Sequence, residues 1–192
     1  DKGGARGVGL VLDRTATAAY RAAGSDLRGY GDRVLRARLR TSTGHLTVLV
    51  VYAPISAAPD SEREDFYESV EGALEDVPSG ELLVVLGDLN ARVGSCVYQG
   101  ERGIVGRHGV GERNEAGQAL VDFAQGHDLR LTNTWFPHKD VHKYTWSHPD
   151  LIHGGRHCID YVMVGRRLWS SVRDSRVYRG ADMGSDHYLV VA

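Results

Sequence analysis

Two runs of the sequence constrain its fold most: residues 46–52 (LTVLVVY) and residues 82–86 (LLVVL). Both are almost continuously apolar and rich in β-branched or Leu side chains. Such runs suit strands covered on both faces, as in the centre of an α/β sheet. Pro54 closes the first run, because proline cannot donate to a ladder. The second run delivers Gly87-Asp88-Leu89-Asn90. A carboxylate and a carboxamide two residues apart on a strand share one face. Asp88 can orient or deprotonate a water or bind a metal, and Asn90 can donate to a phosphate oxygen. The same tetrapeptide also suits an Asx turn. Tyr52 ends the first run, and its phenol meets the edge of Asp88 if the two strands are parallel neighbours. An aromatic core residue is its other reading.

Shorter strand patterns surround this pair: residues 7–12, 34–40, 129–132, 143–146, 159–164, 175–179 and 188–191. In residues 34–40, Leu35, Ala37 and Leu39 alternate with Arg36, Arg38 and Arg40, which predicts a half-exposed strand with an arginine outer face. Two helices are predicted. One is capped by Ser61, runs to about Val77 and turns Phe66, Val70, Ala73, Leu74 and Val77 inward. The other is capped by Asn114, buries Ala119, Leu120 and Phe123, and stops at Gly126. No linker or repeat divides the chain, so residues 1–192 read as one α/β domain. Apolar residues are 42% and charged residues 25%, which excludes a disordered chain. No apolar run reaches the ~18 residues of a membrane span. The first residue is Asp, with no initiator Met or signal sequence, so the chain is expected to be a fragment.

Charge is uneven. Residues 60–78 carry eight acids against one Arg, most simply a solvated helix face, while residues 1–59 carry nine bases against four acids. The net charge of −2 excludes an overall basic nucleic-acid module but leaves local basic faces. Two cysteines, Cys96 and Cys158, make no disulfide framework and favour a reduced, intracellular protein.

Two further strand ends carry chemistry. Asp160 sits in an apolar strand, where an unpaired carboxylate is costly. A His is its natural partner, because a carboxylate fixes an imidazole's tautomer. Ser185-Asp186-His187 opens the last strand, and its Asp and His both reach one site only if the backbone is irregular there. Five histidines fall in residues 138–157, and His138/His142 and His153/His157 share an H-x₃-H spacing. That spacing fits Zn²⁺, but the loop-rich composition fits a cleft-lining segment better. Lys139, Lys143 and Trp146 there could meet a backbone phosphate or stack on a base. Gly3, Gly4, Gly7 and Gly9 lack the Lys and Ser/Thr of a phosphate-cradling loop.

In order, Tyr-x-Pro at Tyr52, GDLN at Asp88 and Asn90, Thr145-Trp146, IDY at Asp160 and SDH at Asp186 and His187 resemble the endonuclease/exonuclease/phosphatase superfamily. GIVGRHGVGERNEAGQALVDF, KYTWSHPD and RGADMGSDHYLVVA are similar to the apurinic-type endonuclease domain of LINE (non-LTR) retrotransposons and, equally, to craniofacial development protein 2-like proteins. The resemblance implies a four-layered α/β sandwich, with two packed mixed β-sheets flanked by helices. It implies Mg²⁺-dependent endonuclease nicking of DNA, with Mn²⁺ as a substitute ion. Asp88 would activate water, Asn90 hold the phosphate and His187 contact its oxygens. Asp160 would orient His187, Tyr52 stabilise developing charge and Asp186 ligate the metal. Asn114, Thr145 and Trp146 would bind substrate. The expected partner is the DNA phosphate backbone, not a membrane. The protein is expected to be a nuclear monomer, with a reverse transcriptase domain in the parent polyprotein. The family's N-terminal strands bearing an Asn and a metal-binding Glu have no match here. Glu62, Glu64, Glu68 and Glu71 cannot stand in for that Glu by motif, so these 192 residues alone are expected to be inactive. A phosphatase of small molecules and a non-catalytic remnant or interaction module are the alternatives.

Overall fold

In a computed structural model, residues 7–95, 99–150, 155–181 and 184–192 are described. Cys96, His153, Gly3 and Gly4 lie outside them. The chain divides into two compact units, Asp1–Asp88 and Leu89–Ala192. Both mix strands and helices, and the fold class is mixed α/β. No helix among the described residues is long and apolar enough to cross a membrane.

The first unit contains α1 (Arg14–Ala22), β1 (Leu27–Gly29), β2 (Val34–Thr41), β3 (Gly44–Tyr52), α2 (Asp60–Glu75) and β4 (Leu82–Asp88). Its strands pair in the order β1–β2–β3–β4. The β1/β2 and β2/β3 pairs are antiparallel and β3/β4 is parallel, so the sheet is mixed. Parallel neighbours need a long connection, which α2 supplies. Thr47, Val48, Leu49, Val50 and Val51 are all buried, as the apolar run of β3 requires. In β4 only Val85 is fully buried and its neighbours are half-buried, because an apolar composition does not report how complete the cover is.

Three expectations change here. Residues 7–13 form no strand: they have no ladder partner among the described residues, and Val11 is 98% exposed. The chain instead enters α1, which the sequence reading missed because no α1 residue is fully buried. Its readable signal was Asp13, whose carboxylate accepts from the Ala16 N–H at 2.7 Å. Helix α2 starts at Asp60 after Pro59, with no side-chain cap, rather than after Ser61, and ends at Glu75. Finally, of the β2 arginines only Arg40 is exposed. Arg36 is only 7% exposed, grips both Asp26 carboxylate oxygens at 2.9 and 3.0 Å and donates to the Asp76 carbonyl at 3.2 Å. Arg38 pairs with Glu81. Acids preceding β1 and β4 meet the terminal nitrogens of both side chains, while the buried Nε of each has no hydrogen-bond partner among the described residues.

The Glu81 carboxylate also accepts from the Thr47 hydroxyl at 2.9 Å. Burial works against its charge, but the bonds from Arg38 and Thr47 outweigh this and hold its pKa below the ordinary value. A carboxylate with a depressed folded pKa adds stability above its unfolded value of about 4.3. That contribution is lost as pH falls through the folded value. Glu81→Gln is expected to cost about 1–3 kcal/mol at neutral pH. The gap from the parent should narrow steadily below about pH 4. Urea titrations across pH 2–7 measure this, and a pH-independent gap would contradict it.

The second unit contains α3 (Glu115–Gly126), β5 (Leu129–Leu131), β6 (Trp146–Ser147), β7 (Arg156–His157), β8 (Asp160–Gly165), β9 (Arg176–Tyr178) and β10 (Leu189–Val191). Antiparallel pairs join β5 to β8, β6 to β7 and β9 to β10. The strand expected over residues 143–146 begins only at Trp146, because a 3₁₀ turn at Asp140–His142 uses the preceding residues. Helix α3 buries Gly117, Leu120, Val121 and Ala124, while Ala119 is exposed and Phe123 half-buried. The buried stripe is rotated by one residue because α3 approaches the chain closely at Gly117. A Cβ there would lie 1.8 Å from the Arg92 carbonyl oxygen. Gly126 is the last helical residue, and His127 is the cap. Glu101 and Arg113 form a buried bidentate pair at 2.6 and 2.9 Å, with Arg113 also donating to the Val93 carbonyl.

Candidate functional site

In the first unit, β3 and β4 run parallel and end together, with Tyr52 registered against Asp88. The Ala53 N–H donates to the Asp88 carbonyl at 2.8 Å and carries the pairing one residue further. Phenol and carboxylate therefore share the C-terminal edge of adjacent parallel strands, where ligands bind in open α/β sheets. Gly87 makes this possible. Its φ is +146°, and a Cβ there would sit 1.8 Å from the Val51 carbonyl oxygen. Only glycine lets β4 press against β3 at that point.

In the second unit, Asp160 opens β8, and both of its carboxylate oxygens lie 3.0–3.1 Å from His187 Nδ1. A carboxylate oxygen accepts, so Nδ1 is the donating nitrogen of this pair. The backbone around Asp160 is pinned from two sides. The Thr145 hydroxyl, fully buried, accepts from the N–H groups of Ile159 and Asp160, each at 3.0 Å. Asn133 donates Nδ2 to the Asp160 carbonyl at 3.1 Å and accepts from the Val162 N–H at 3.0 Å. The sequence reading missed Asn133. Its signal was an amide side chain two residues after the end of β5, where a buried amide needs partners on both sides.

His187 itself sits in irregular chain, as two adjacent reaching side chains require. It makes an isolated bridge to Trp146, and its N–H donates to the Ser185 hydroxyl at 3.1 Å. The neighbouring Asp186 accepts from the Trp146 indole N–H at 2.8 Å. That bond is the main cause holding the Asp186 carboxyl below the ordinary carboxylate range, against a smaller opposing effect of burial. Trp146 lies nearly parallel on His157, with centroids 5.8 Å apart, and edge-on to His148.

Asn90 has φ +46°, a left-handed conformation that Asn tolerates better than most residues. The preceding Leu89 is buried, and its N–H donates to the Ile159 carbonyl at 2.9 Å. Asn114 caps α3: its Oδ1 accepts from the N–H groups of Gly117 and Arg92, both at 2.9 Å. Capping thus occupies its Oδ1. His138 meets Asp174 at 2.5 Å, and His142 Nδ1 meets the Val177 carbonyl at 3.2 Å. These histidines gather into no metal-ligating group among the described residues. Cys158 is a buried free thiol whose pKa burial pushes up to about 12, as suits an inert core residue.

Thr145→Val tests the pinning of Asp160. Two part-buried N–H groups would lose their acceptor at nearly unchanged volume, at an expected cost of about 1–3 kcal/mol. Thr145→Ser, which keeps the hydroxyl, should recover most of that. Guanidinium unfolding of the three proteins measures both, and equal stability of the Val variant would contradict the bonds.

Mg²⁺ prefers hard oxygen ligands and usually takes one or two carboxylates, completing its shell with waters and substrate phosphate. The ionised Asp186 fits that donor chemistry.

No family model matches the chain. It is 39% identical over 186 residues to craniofacial development protein 2 of Bos taurus, covering 97% of this chain and 30% of that protein. It is 38% identical over 186 residues to craniofacial development protein 2 of Tragulus javanicus, covering 97% and 31%. The chain thus spans less than a third of the length of the curated relatives it matches. Among solved structures, it is similar to the endonuclease domain of TRAS1, a telomere-specific non-LTR retrotransposon. The TM-score is 0.59 and the identity 16%, covering 85% of this chain and 65% of that one. The chain has the mixed α/β fold of that endonuclease domain.

Proposed function

We propose that this chain is an endonuclease/exonuclease/phosphatase-superfamily domain derived from a LINE retrotransposon, and that it nicks DNA by Mg²⁺-dependent phosphodiester hydrolysis. The observation that carries the reading is the Asp160–His187 contact at 3.0 Å in a chain with a nuclease-like fold. Hydrolysis of a phosphodiester puts negative charge on equatorial and leaving oxygens. A positioned imidazole and fixed donors lower that barrier. Asp160 fixes the ring of His187, whose Nε2 contacts the phosphate. Asn90 donates its amide to a phosphate oxygen. Asp88 orients or deprotonates the attacking water, and Tyr52 donates its phenol to the developing charge. Asp186 would hold Mg²⁺, or Mn²⁺ in its place, which supplies positive charge against the phosphate oxygens. Trp146 and the Nδ2 of Asn114 line the substrate cleft, while the buried Thr145 serves it only by holding the Asp160 backbone. The protein acts on the DNA backbone as a nuclear monomer, with a reverse transcriptase domain in the same polyprotein.

The test is a nicking assay of the full-length protein on supercoiled plasmid with Mg²⁺, beside phosphate release from inositol phosphates. Conversion of supercoiled to open-circular DNA is expected, with no turnover of the small substrate. Turnover of inositol phosphates alone would replace the nuclease reading with a phosphatase. No turnover of either would leave the non-catalytic module.

A further inference from the structure

The geometry points to Arg33 as a positioning residue for Tyr52, clamping the phenol at the end of β3 through a guanidinium that α2 anchors. This inference rests on the proposed role of Tyr52. Arg33 lies just before β2 and touches Tyr52 in three ways. Its carbonyl accepts from the Tyr52 N–H at 2.9 Å. Its Nη1 donates to the Tyr52 carbonyl at 3.1 Å. Its guanidinium carbon lies 5.2 Å from the centroid of the Tyr52 ring. The other prong is not idle: Nη2 pairs with Glu62 on α2 at 2.6 Å, and both side chains of that pair are largely sheltered from water.

The arrangement has a physical logic. A guanidinium is planar and presents a fixed fork, so one Arg can hold a carbonyl and a carboxylate in one geometry while its charge faces a ring. The attraction between a cation and a ring's π face is strongest when the cation is partly desolvated, as here. Turning the Tyr52 ring away would give up that attraction. Moving the backbone at Tyr52 would break both main-chain bonds. Lys could keep the charge but not the fork. Glu62 explains why the guanidinium stays in place. Without it, the long Arg stem would have rotamers in which it leaves the ring.

If Tyr52 must meet developing charge at a fixed place, loosening it should slow the chemical step more than it weakens DNA binding. The experiment measures kcat and KM for plasmid nicking by the full-length protein, its Arg33→Met, Arg33→Lys, Glu62→Gln and Tyr52→Phe variants, and the Arg33→Met/Tyr52→Phe double variant. Arg33→Met is expected to lower kcat about tenfold with KM little changed. Arg33→Lys should recover part of the loss. Glu62→Gln keeps the arginine, and should show a smaller loss of the same kind. In the double variant Arg33→Met should add no further loss, because its target is gone. Multiplying losses, or a change in KM alone, would overturn the inference.

A second readout does not depend on turnover. Nitration of Tyr52 by tetranitromethane, followed by peptide mass spectrometry, should be faster in Arg33→Met than in the parent. An unchanged rate would overturn the clamp. An inactive parent whose Tyr52 nitrates faster on Arg33→Met would overturn the nuclease reading and the catalytic part of this inference, and leave the clamp as a structural one.

Discussion

His187→Ala is expected to lower plasmid nicking by about 10²–10⁴-fold, the usual range for removing a positioned acid–base group. The melting temperature should move little. The imidazole is partly exposed, at 34% of its side chain, and its Nδ1 meets the Asp160 carboxylate. Its backbone bonds, to Ser185 and through the bridge to Trp146, survive the substitution. The large activity loss and the small stability loss therefore separate chemistry from folding. Rates under single-turnover conditions and a thermal melt of the same preparation check both. A variant that retains a tenth of the parent's rate would remove His187 from the chemistry.

Gly87→Ala is expected to be the most damaging single change to the fold, costing more than about 4 kcal/mol, beyond the range of ordinary substitutions. The added methyl would be placed 1.8 Å from the Val51 carbonyl oxygen, at a φ of +146° that side chains rarely adopt. The obstacle is backbone, so no side-chain rotation relieves it. β4 would have to withdraw from β3 at the residue just before Asp88, and the Tyr52–Asp88 edge would open with it. Urea unfolding, or failure to recover soluble protein beside a normally soluble parent, measures the effect. A loss below about 1 kcal/mol would mean the strands do not approach as described.

Gly87 also shows what a sequence can and cannot announce. The apolar run of β3 and the polar exit of β4 were readable because continuous burial and an abrupt end each leave a mark in composition. That Gly87 must be glycine was not readable, since only the parallel register to Val51 creates the clash. Chemistry alone gave Asp160 a histidine partner, because a carboxylate in an apolar strand requires one, and the motif resemblance pointed to His187. Asn133, which holds the Asp160 carbonyl and the Val162 N–H, could not be read this way, since its partners are backbone groups far away in sequence. The arginines of β2 misled for a related reason. Alternation marks an outer face, but it does not show that Asp26, Asp76 and Glu81 will close over it. Short α1 escaped because its helix buries no complete side chain and so leaves no apolar stripe. Residues 7–12 have strand-like composition, but a strand exists only through a neighbour.

The most direct test of the account is a double-mutant cycle on nicking by the full-length protein, with Asp160→Asn, His187→Ala and both together. Groups that act as one unit are not additive in their effects on rate. Asp160 is assigned no role other than holding the His187 ring. The account therefore predicts that Asp160→Asn slows the parent by about 10²-fold or more but slows His187→Ala no further. Losses that multiply in the double variant would show that the two residues act separately, and would contradict the pair as the centre of the site.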